Sequence, residues 1–285
     1  MLGMLAVCVV ALSGRAVGQT MTNAFFAMDT GTHDATHTTP AEQVALIKEV
    51  GFAGVGPTYR GKNDLQQWFA ALDKAGLKMQ ALYLSLALDA TEASLKTIRE
   101  AVTALKGRDT MLWLYVTDKD HKASATDDDE VAVGALRAIG GMTQQAGLRV
   151  ALYPHTGFYV QKVENAVRLV EKAGCTNLGV TFNLCHWLKV DGKDLDATLK
   201  AAKPHLFVVT INGADSDGTD WQKLIQPLDR GTYDVGQVLE RLVKMGFNGP
   251  IGLQHYGING DAKENLERSM TGWRNIVKRV MTTPK

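Results

Sequence analysis

The stretch GVTFNLCHWLKVDG, residues 179–192, places reactive side chains directly behind a run of strand-forming residues. Val180 and Phe182 are apolar and favour a buried strand. Asn183 and His186 follow at once. An imidazole exchanges protons near neutral pH, and an amide both donates and accepts hydrogen bonds. The stretch therefore predicts acid–base chemistry at the carboxyl end of a strand.

Polar residues also end other strand-like segments. His155 follows one of them, and with His186 it is our candidate for moving protons. The candidates for orienting hydroxyl groups or polarising a carbonyl are the amides Asn183, Asn212 and Gln254, and Tyr153 is a further candidate for binding sugar hydroxyls.

Two neighbours of His186 extend this prediction. Lys189 could act as a base or an electrostatic partner if it were desolvated, although a lone lysine in a polar loop is more often solvated. Trp187 could pack its ring on the C–H face of a sugar, and ordinary packing under a loop explains it equally well. Cys185 is a weaker candidate, because a nucleophilic role requires an activated thiolate.

We predict that eight strands, with helices between them, position these residues. The strands are predicted at Ala24–Met28, Gly54–Thr58, Met79–Leu84, Met111–Val116, Arg149–Tyr153, Gly179–Asn183, Leu206–Ile211 and Ile251–Gln254. Strands that alternate with helices pair in parallel, and eight such units predict a single (β/α)₈ TIM barrel of the α/β class. An open doubly wound sheet is the alternative, but no glycine-rich phosphate loop follows the first strand.

A recurring sequence motif marks the junctions between helices and strands. EVGFAGV, KAGLKMQAL, QAGLRVALY, KAGCTNLGV and KMGFNGPIGL each read as a helix end, a glycine and a strand. At Thr39-Pro40-Ala41-Glu42, a cap, a proline and a glutamate predict a helix start with a capping box.

Composition limits the classes of partner. The 285 residues carry 31 basic and 30 acidic side chains, for a net charge of +1. This balance gives no reason to expect nucleic acid or an anionic membrane surface as a partner. The 45% hydrophobic content suffices for one large core.

The first eighteen residues differ from the rest. An apolar run from Leu2 to Leu12 precedes Ala16 and Gly18, which fit a signal peptidase site before Gln19. The run is too short to span a membrane, and no other stretch is long enough. Because the positive charge expected at the front is missing, either the start is misassigned or the segment is not a signal. We favour a truncated export signal over residues 1–18, with the barrel over residues 19–285 and the mature protein in the periplasm or otherwise exported.

From Asn23 onward the chain resembles the sugar phosphate isomerase/epimerase family, which has a xylose-isomerase-like barrel. ALYPH resembles that family's Leu-Glu-x-His, TFNLCH its Asp-x-x-His, and VVTINGAD its His-x-x-Asp. The segment QPLDRGTYDVGQVLERLVKMGFNGPIGLQ resembles Pro-x-Gly-x-Gly-x-x-Asp and a closing strand that ends in Glu.

The resemblance implies a divalent metal held by Glu, Asp, His and Glu, and this chain departs from all four. Tyr153, Asn183, Asn212 and Gln254 stand at those positions. A hard divalent cation needs anionic oxygens or imidazoles, so no metal ligand and no cofactor is assigned. The resemblance also implies substrate contacts for Asp215 and Arg230, which a plain turn and a loop ion pair would equally explain.

The resulting interpretation is an exported enzyme that isomerises, epimerises or eliminates a small carbohydrate by proton transfer next to a carbonyl. Two alternatives stay open. One is a non-catalytic carbohydrate-binding protein on a degenerate scaffold. The other is a metal-dependent lyase or isomerase with relocated ligands such as His155, His186 and Asp215.

Overall fold

A computed structural model of the chain describes residues 21–88 and 91–282. The predicted export segment, residues 1–18, lies outside these described residues. The strands are β1 Phe25–Met28, β2 Gly54–Gly56, β3 Lys78–Met79, β4 Ala81–Ala87, β5 Met111–Thr117, β6 Val150–Leu152, β7 Leu178–Asn183, β8 Leu206–Ile211 and β9 Ile251–Leu253.

Helices separate most of the strands along the chain. They are α1 Pro40–Val50, α2 Lys62–Ala75, α3 Glu92–Leu105, α4 Asp129–Gln145, α5 Val163–Ala173, α6 Leu184–Val190, α7 Leu195–Ala202, α8 Trp221–Leu224, α9 Gly236–Met245 and α10 Ala262–Thr282. The strands form one parallel sheet in the order β3-β2-β1-β9-β8-β7-β6-β5-β4. The sheet curls into a nearly closed barrel, which confirms the predicted α/β barrel class.

The third predicted strand, Met79–Leu84, is divided in two. β3 pairs with β2, and β4 pairs with β5 along its whole length. Gln80 lies between them, and its backbone N–H donates to the Val55 carbonyl at 2.8 Å. Further along, the Tyr83 N–H donates to the Pro57 carbonyl at 2.9 Å. The segment changes neighbour at Gln80, and these bonds bring the two edges of the sheet together.

Local signals in the sequence fix the helix boundaries. The Thr39 side chain and the Glu42 side chain form the predicted capping box at the start of α1. Gly51, which ends α1, has φ +100°, and Gly174, which ends α5, has φ +69°. Only glycine adopts this left-handed backbone at little cost, so the recurring sequence motif does mark helix ends.

Two apolar layers surround the strands. The larger lies between the strands and the helices. The smaller contains alternate residues of the strands, among them Phe26, Trp113 and Tyr153, and fills the barrel. Trp113 donates its indole N–H to the Thr181 hydroxyl at 2.6 Å, and its ring meets the ring of Tyr153 edge-on at 4.8 Å. The barrel is therefore packed up to Tyr153. Across residues 21–88 and 91–282, no helix has the length and apolar character required to cross a membrane.

Candidate active site

A cavity of about 630 Å³ lies at the carboxyl ends of the strands, a size typical of small-molecule sites. Its lining comprises Met28, Thr30, Thr58, Tyr83, Tyr153, His155, Thr156, Phe158, His186, Lys189, Trp221, Ile225, Gln254 and Tyr256. Among the described residues, no carboxylate lines this cavity, and Lys189 is its one cation. The wall therefore offers neutral hydrogen-bonding groups and aromatic faces.

The end of β7 positions His186. Asn183 is the last strand residue and the N-cap of α6, and its Oδ1 accepts the backbone N–H of His186 at 3.2 Å. An amide oxygen in this place satisfies one of the free N–H groups at a helix start. The strand-to-helix turn thus places the His186 ring on the cavity wall, where it is 5% exposed.

A tight turn after β6 positions His155. The His155 N–H donates to the Val160 carbonyl at 2.9 Å, and the Phe158 N–H donates to the His155 carbonyl at 3.0 Å. Gly157 makes the turn with φ +84°. The rings of His155 and Phe158 stack with their centroids 4.0 Å apart. The imidazole is therefore held between the turn and the cavity.

Thr156 gives the two imidazoles opposite tautomers. His155 Nδ1 lies 2.9 Å from the Thr156 carbonyl, which can only accept, so this nitrogen carries the proton. His186 Nδ1 lies 3.3 Å from the Thr156 N–H and 3.1 Å from its hydroxyl, so this nitrogen accepts. In the neutral rings, Nε2 of His155 is then a free base, and Nε2 of His186 carries a proton.

Both rings are kept neutral by their surroundings. Burial lowers the pKa of His155 below its ordinary value. Burial, and then the neighbouring His155, lowers the pKa of His186 well below its ordinary value. Two cations at a centroid distance of 4.1 Å would also repel each other. At neutral pH both rings are therefore neutral, with Nε2 of His155 as a hydrogen-bond acceptor and Nε2–H of His186 as a donor.

Tyr153 lies at the centre of the amide residues. Its phenolic oxygen accepts the side-chain N–H of Asn183 and that of Gln254, the latter at 3.1 Å. The Gln254 Oε1 accepts from the Thr30 hydroxyl at 3.3 Å and from the Tyr256 N–H at 3.0 Å. Both amides thus turn their donors toward the phenol and their oxygens away from it.

This arrangement does not fit the divalent metal that the resemblance implies. A hard cation needs converging oxygens with negative charge, whereas N–H groups converge here on a neutral phenol. Throughout the described parts of the chain, no three His, Cys, Asp or Glu side chains are grouped to hold a metal ion. The Asn183 Oδ1 also accepts a hydrogen bond from the Cys185 thiol at 3.1 Å. Burial raises the pKa of that thiol far above its ordinary value, so it does not supply a thiolate.

Of the two residues near His186, one reaches the cavity. Lys189 lines the rim, donates to the Thr219 carbonyl and lies 5.6 Å from the centroid of Trp221. Trp187 is buried beneath the loop, where its indole donates to the Thr198 hydroxyl at 3.2 Å. The tryptophan on the cavity wall is Trp221, whose ring meets His186 edge-on at 5.4 Å.

Four further sequence candidates lie outside the cavity lining, among them Asn183, whose side chain bonds the Tyr153 phenol and the His186 N–H. Asn212 donates to the Gly213 and Leu224 carbonyls at 2.7 Å, so it ties down a loop. The Asp215 side chain accepts the backbone N–H of Thr232, 17 residues further along the chain, at 3.2 Å. Arg230 is exposed in a neighbouring loop. The sequence reasoning also missed contributors, chiefly Thr156 and Trp221, whose only signal is their position after strands of the barrel.

Comparison with known proteins agrees with this fold. The profile of the xylose isomerase-like TIM barrel family matches residues 44–276. The chain belongs to this family. Comparison with curated protein sequences gave no significant match.

Solved structures with the same fold include two sugar epimerases. A 3-keto-D-glucoside 4-epimerase from E. coli has 17% identity and a TM-score of 0.72, covering 89% of this chain and 99% of its own. A D-allulose 3-epimerase from Methylomonas sp. has 12% identity and a TM-score of 0.71, covering 90% and 100%. A family protein from Mycobacterium smegmatis, in complex with magnesium, has 13% identity and a TM-score of 0.67, covering 92% and 98%. These likenesses show the fold.

Proposed function

We propose that the protein is a sugar isomerase- or epimerase-type enzyme that moves a proton next to the carbonyl of a sugar or keto-sugar. The complementary tautomers of His155 and His186 carry this proposal, because one ring presents a base and the other an acid on the same cavity wall. The two sugar epimerases with this fold support the class of reaction.

The proposed step is balanced between the two rings. Nε2 of His155 takes the proton from the carbon beside the carbonyl, and the C–H electron pair forms an enolate. In isomerisation, Nε2–H of His186 protonates the enolate oxygen to give an enediol, Nε2 of His186 then takes the proton of the neighbouring hydroxyl, and the proton on His155 goes to the former carbonyl carbon. In epimerisation, Nε2–H of His186 instead returns a proton to the opposite face of the same carbon. A proton that passes from His155 to His186 through solvent restores both starting forms.

The cavity suits an uncharged sugar. Its polar groups are hydroxyls, imidazoles and an amide, and its aromatic rings, Trp221 and Phe158, can cover C–H faces. Sugar phosphates are chiefly intracellular, and the cavity has one rim lysine in place of a phosphate-binding cluster. A free sugar or a keto-glycoside is therefore the proposed substrate class.

We further propose that this chemistry proceeds without the divalent metal typical of related barrels. The support is the donor set: Tyr153, Asn183 and Gln254 present N–H and O–H groups where carboxylates would be needed. No reaction step is assigned to a metal.

The test is an exchange screen in D₂O. Free aldoses, ketoses and methyl 3-keto-glucosides are incubated with the full chain, and deuterium incorporation and new isomers are followed by NMR. We expect exchange at the carbon beside the carbonyl that persists with a chelator and falls by about 10²- to 10⁴-fold in His155→Gln and His186→Gln. His33→Gln, at an exposed site, is the matched control. Absence of exchange with every sugar, or equal rates in all variants, contradicts the proposal.

A carbohydrate-binding protein is the second candidate, favoured by the replacement of all four family ligands at once. Calorimetry on the same sugars separates the two functions. A ligand that binds the wild type and His186→Ala equally, without turnover by either, would establish the binding function.

We also propose that the mature protein begins at Gln19 and acts outside the cytoplasm, supported by the apolar run and the small residues at Ala16 and Gly18. N-terminal sequencing of natively produced protein tests this. An intact Met1 in a cytosolic fraction would overturn it.

A further inference from the structure

We infer that the phenolic hydroxyl of Tyr153 is a catalytic hydrogen-bond donor to the carbonyl oxygen of the substrate. The inference rests on the proton-transfer function proposed above and assigns to one residue the task of polarising the carbonyl. It departs from the sequence expectation, which gave that task to Asn183, Asn212 and Gln254.

A count of hydrogen bonds around Tyr153 leads to this role. The phenol oxygen accepts two bonds, from Asn183 Nδ2 and from Gln254 Nε2. Its own proton must therefore point elsewhere. The Asn183 Oδ1 is taken by the His186 N–H, and the Gln254 Oε1 by the Tyr256 N–H. Neither amide is arranged to accept the phenol proton.

One protein hydroxyl competes for that proton. Thr210 lies on β8, two strands from β6 in the sheet, and its hydroxyl is close enough to interact with the phenol, but its buried Oγ1 has no partner in hydrogen-bonding geometry. A buried hydroxyl in this state costs free energy that a ligand or a small rotation could recover. Thr210 therefore provides the matched control for the proposal, because its substitution removes the competing acceptor and leaves Tyr153 in place.

The phenol stays protonated in this position. Tyr153 is 1% exposed, and burial, followed by the neighbouring phenol of Tyr83, raises the pKa of Tyr153 well above its ordinary value. A neutral phenol that accepts two N–H bonds is polarised toward stronger donation, since hydrogen bonds in a chain reinforce one another. The residue is then a donor over the whole working pH range.

Tyr153 also lies where such a donor is useful. It shares the cavity wall with both histidines, and its ring centroid is 5.8 Å from that of His186 and 6.4 Å from that of His155. A ketone placed against this wall would have its oxygen at the phenol and the adjacent C–H at an imidazole. Donors fixed where negative charge develops are a large source of catalysis.

The electron balance needs no further reagent. His155 takes the proton from carbon, the C–H pair becomes the enolate double bond, and the negative charge collects on the carbonyl oxygen. The Tyr153 O–H hydrogen-bonds to that oxygen and keeps its proton. When His186 reprotonates the carbon, the carbonyl re-forms and Tyr153 is unchanged.

The experiment measures polarisation directly. Methyl 3-keto-glucoside labelled with ¹³C at the carbonyl is bound to the full chain, and its C=O stretching frequency is recorded by difference infrared spectroscopy alongside kcat and KM. The variants are Tyr153→Phe, Thr210→Val and a protein with 3-fluorotyrosine at position 153. The last keeps the shape of the side chain and makes the phenol a stronger donor.

We expect the wild type to lower the C=O frequency, with a larger shift for fluorotyrosine and a retained shift in Thr210→Val. Tyr153→Phe should lose the shift and lower kcat by about 10²- to 10³-fold, with KM changed only a few-fold. Binding of the keto-glucoside with the same frequency and turnover in Tyr153→Phe would overturn this inference and leave the proposed function intact. Failure of the wild type to bind the keto-glucoside would overturn the keto-sugar function, and the role of Tyr153 with it.

Discussion

The imidazole rings of His155 and His186 pack with their centroids 4.1 Å apart and their planes at 44°. The two residues come from different βα loops, 31 positions apart in the chain, yet Thr156 contacts a ring nitrogen of each. A carbonyl on one side and an N–H on the other make the rings chemically unlike. This relationship is what turns two histidines into an acid and a base.

The first prediction concerns the pH profile. Because burial lowers the pKa of both His155 and His186, the neutral, active forms should persist below the ordinary histidine pKa of about 6.5. The acidic limb of kcat/KM, measured in exchange assays from pH 4 to pH 9, should therefore have its midpoint below pH 6.5. A midpoint at or above that value would contradict the neutral-pair interpretation.

The second prediction isolates the Thr156 hydroxyl. Thr156→Val removes the hydroxyl bond to His186 Nδ1 but keeps the backbone N–H that points at the same nitrogen. We expect kcat to fall by roughly 10-fold, at the low end of the effect of losing an orienting contact. Thr156→Ser, which keeps the hydroxyl, is the matched control. If Ser and Val variants lose activity equally, the effect is one of packing.

The third prediction concerns acid stability and uses His255. This ring is 2% exposed, its Nε2 lies 2.7 Å from the Ser269 hydroxyl, and burial lowers its pKa to about 3. Above pH 6.5 the ring is neutral in both states. Between pH 6.5 and 3 the unfolded chain binds a proton that the folded protein does not. Stability should therefore fall as the pH falls, by about 1.4 kcal/mol per pH unit at most from this group.

Denaturant unfolding at pH 7, 5.5 and 4.5 checks this value. His255→Gln should be less stable at pH 7, because packing is disturbed, but its stability should decline less steeply toward acid. His33→Gln, at an exposed site, should retain the wild-type slope. Identical slopes in all three proteins would show that His255 does not contribute.

The barrel could be predicted from the sequence because its signals are local. A left-handed glycine at a helix end, or a capping box at Thr39, depends on a few adjacent residues and reads the same in any context. The division of the third strand at Gln80 could not be read in this way. It depends on which neighbour each half pairs with, and that is decided by closure of the whole barrel.

The site was only partly predictable for a related reason. Strand ends identified Tyr153, His155 and His186, since the topology alone brings them to one mouth. The expectation that Trp187 packs on the sugar did not anticipate α6, which turns Trp187 toward Thr198. Asn212 was expected beside the substrate, but its side-chain N–H groups donate to the backbone carbonyls of Gly213 and Leu224. The groups to which a side-chain amide hydrogen-bonds depend on the tertiary structure, so they cannot be predicted from the residue type.

The last prediction concerns metal binding and the space that Tyr153 fills. Purified wild-type protein should carry no stoichiometric zinc, manganese or magnesium by elemental analysis, and a chelator should leave exchange unchanged. The reason is that Asn183 and Gln254 direct N–H groups at a neutral phenol, and neither amide nor phenol offsets the charge of a divalent ion. Stoichiometric metal together with loss of turnover on chelation would show that the interpretation of these substitutions is wrong.

Restoring charge should create affinity only when the phenol is also removed. Asn183→Asp with Gln254→Glu leaves the Tyr153 hydroxyl between the two carboxylates, so this double variant should still bind manganese weakly. Adding Tyr153→Glu opens the centre and supplies a third carboxylate. Three like charges repel in the empty site, which should lower the Tm without metal and make the triple variant gain stability as Mn²⁺ is added. Calorimetric titration of both variants with Mn²⁺ tests the idea. Equal affinities for the double and triple variants would mean that Tyr153 does not block the position.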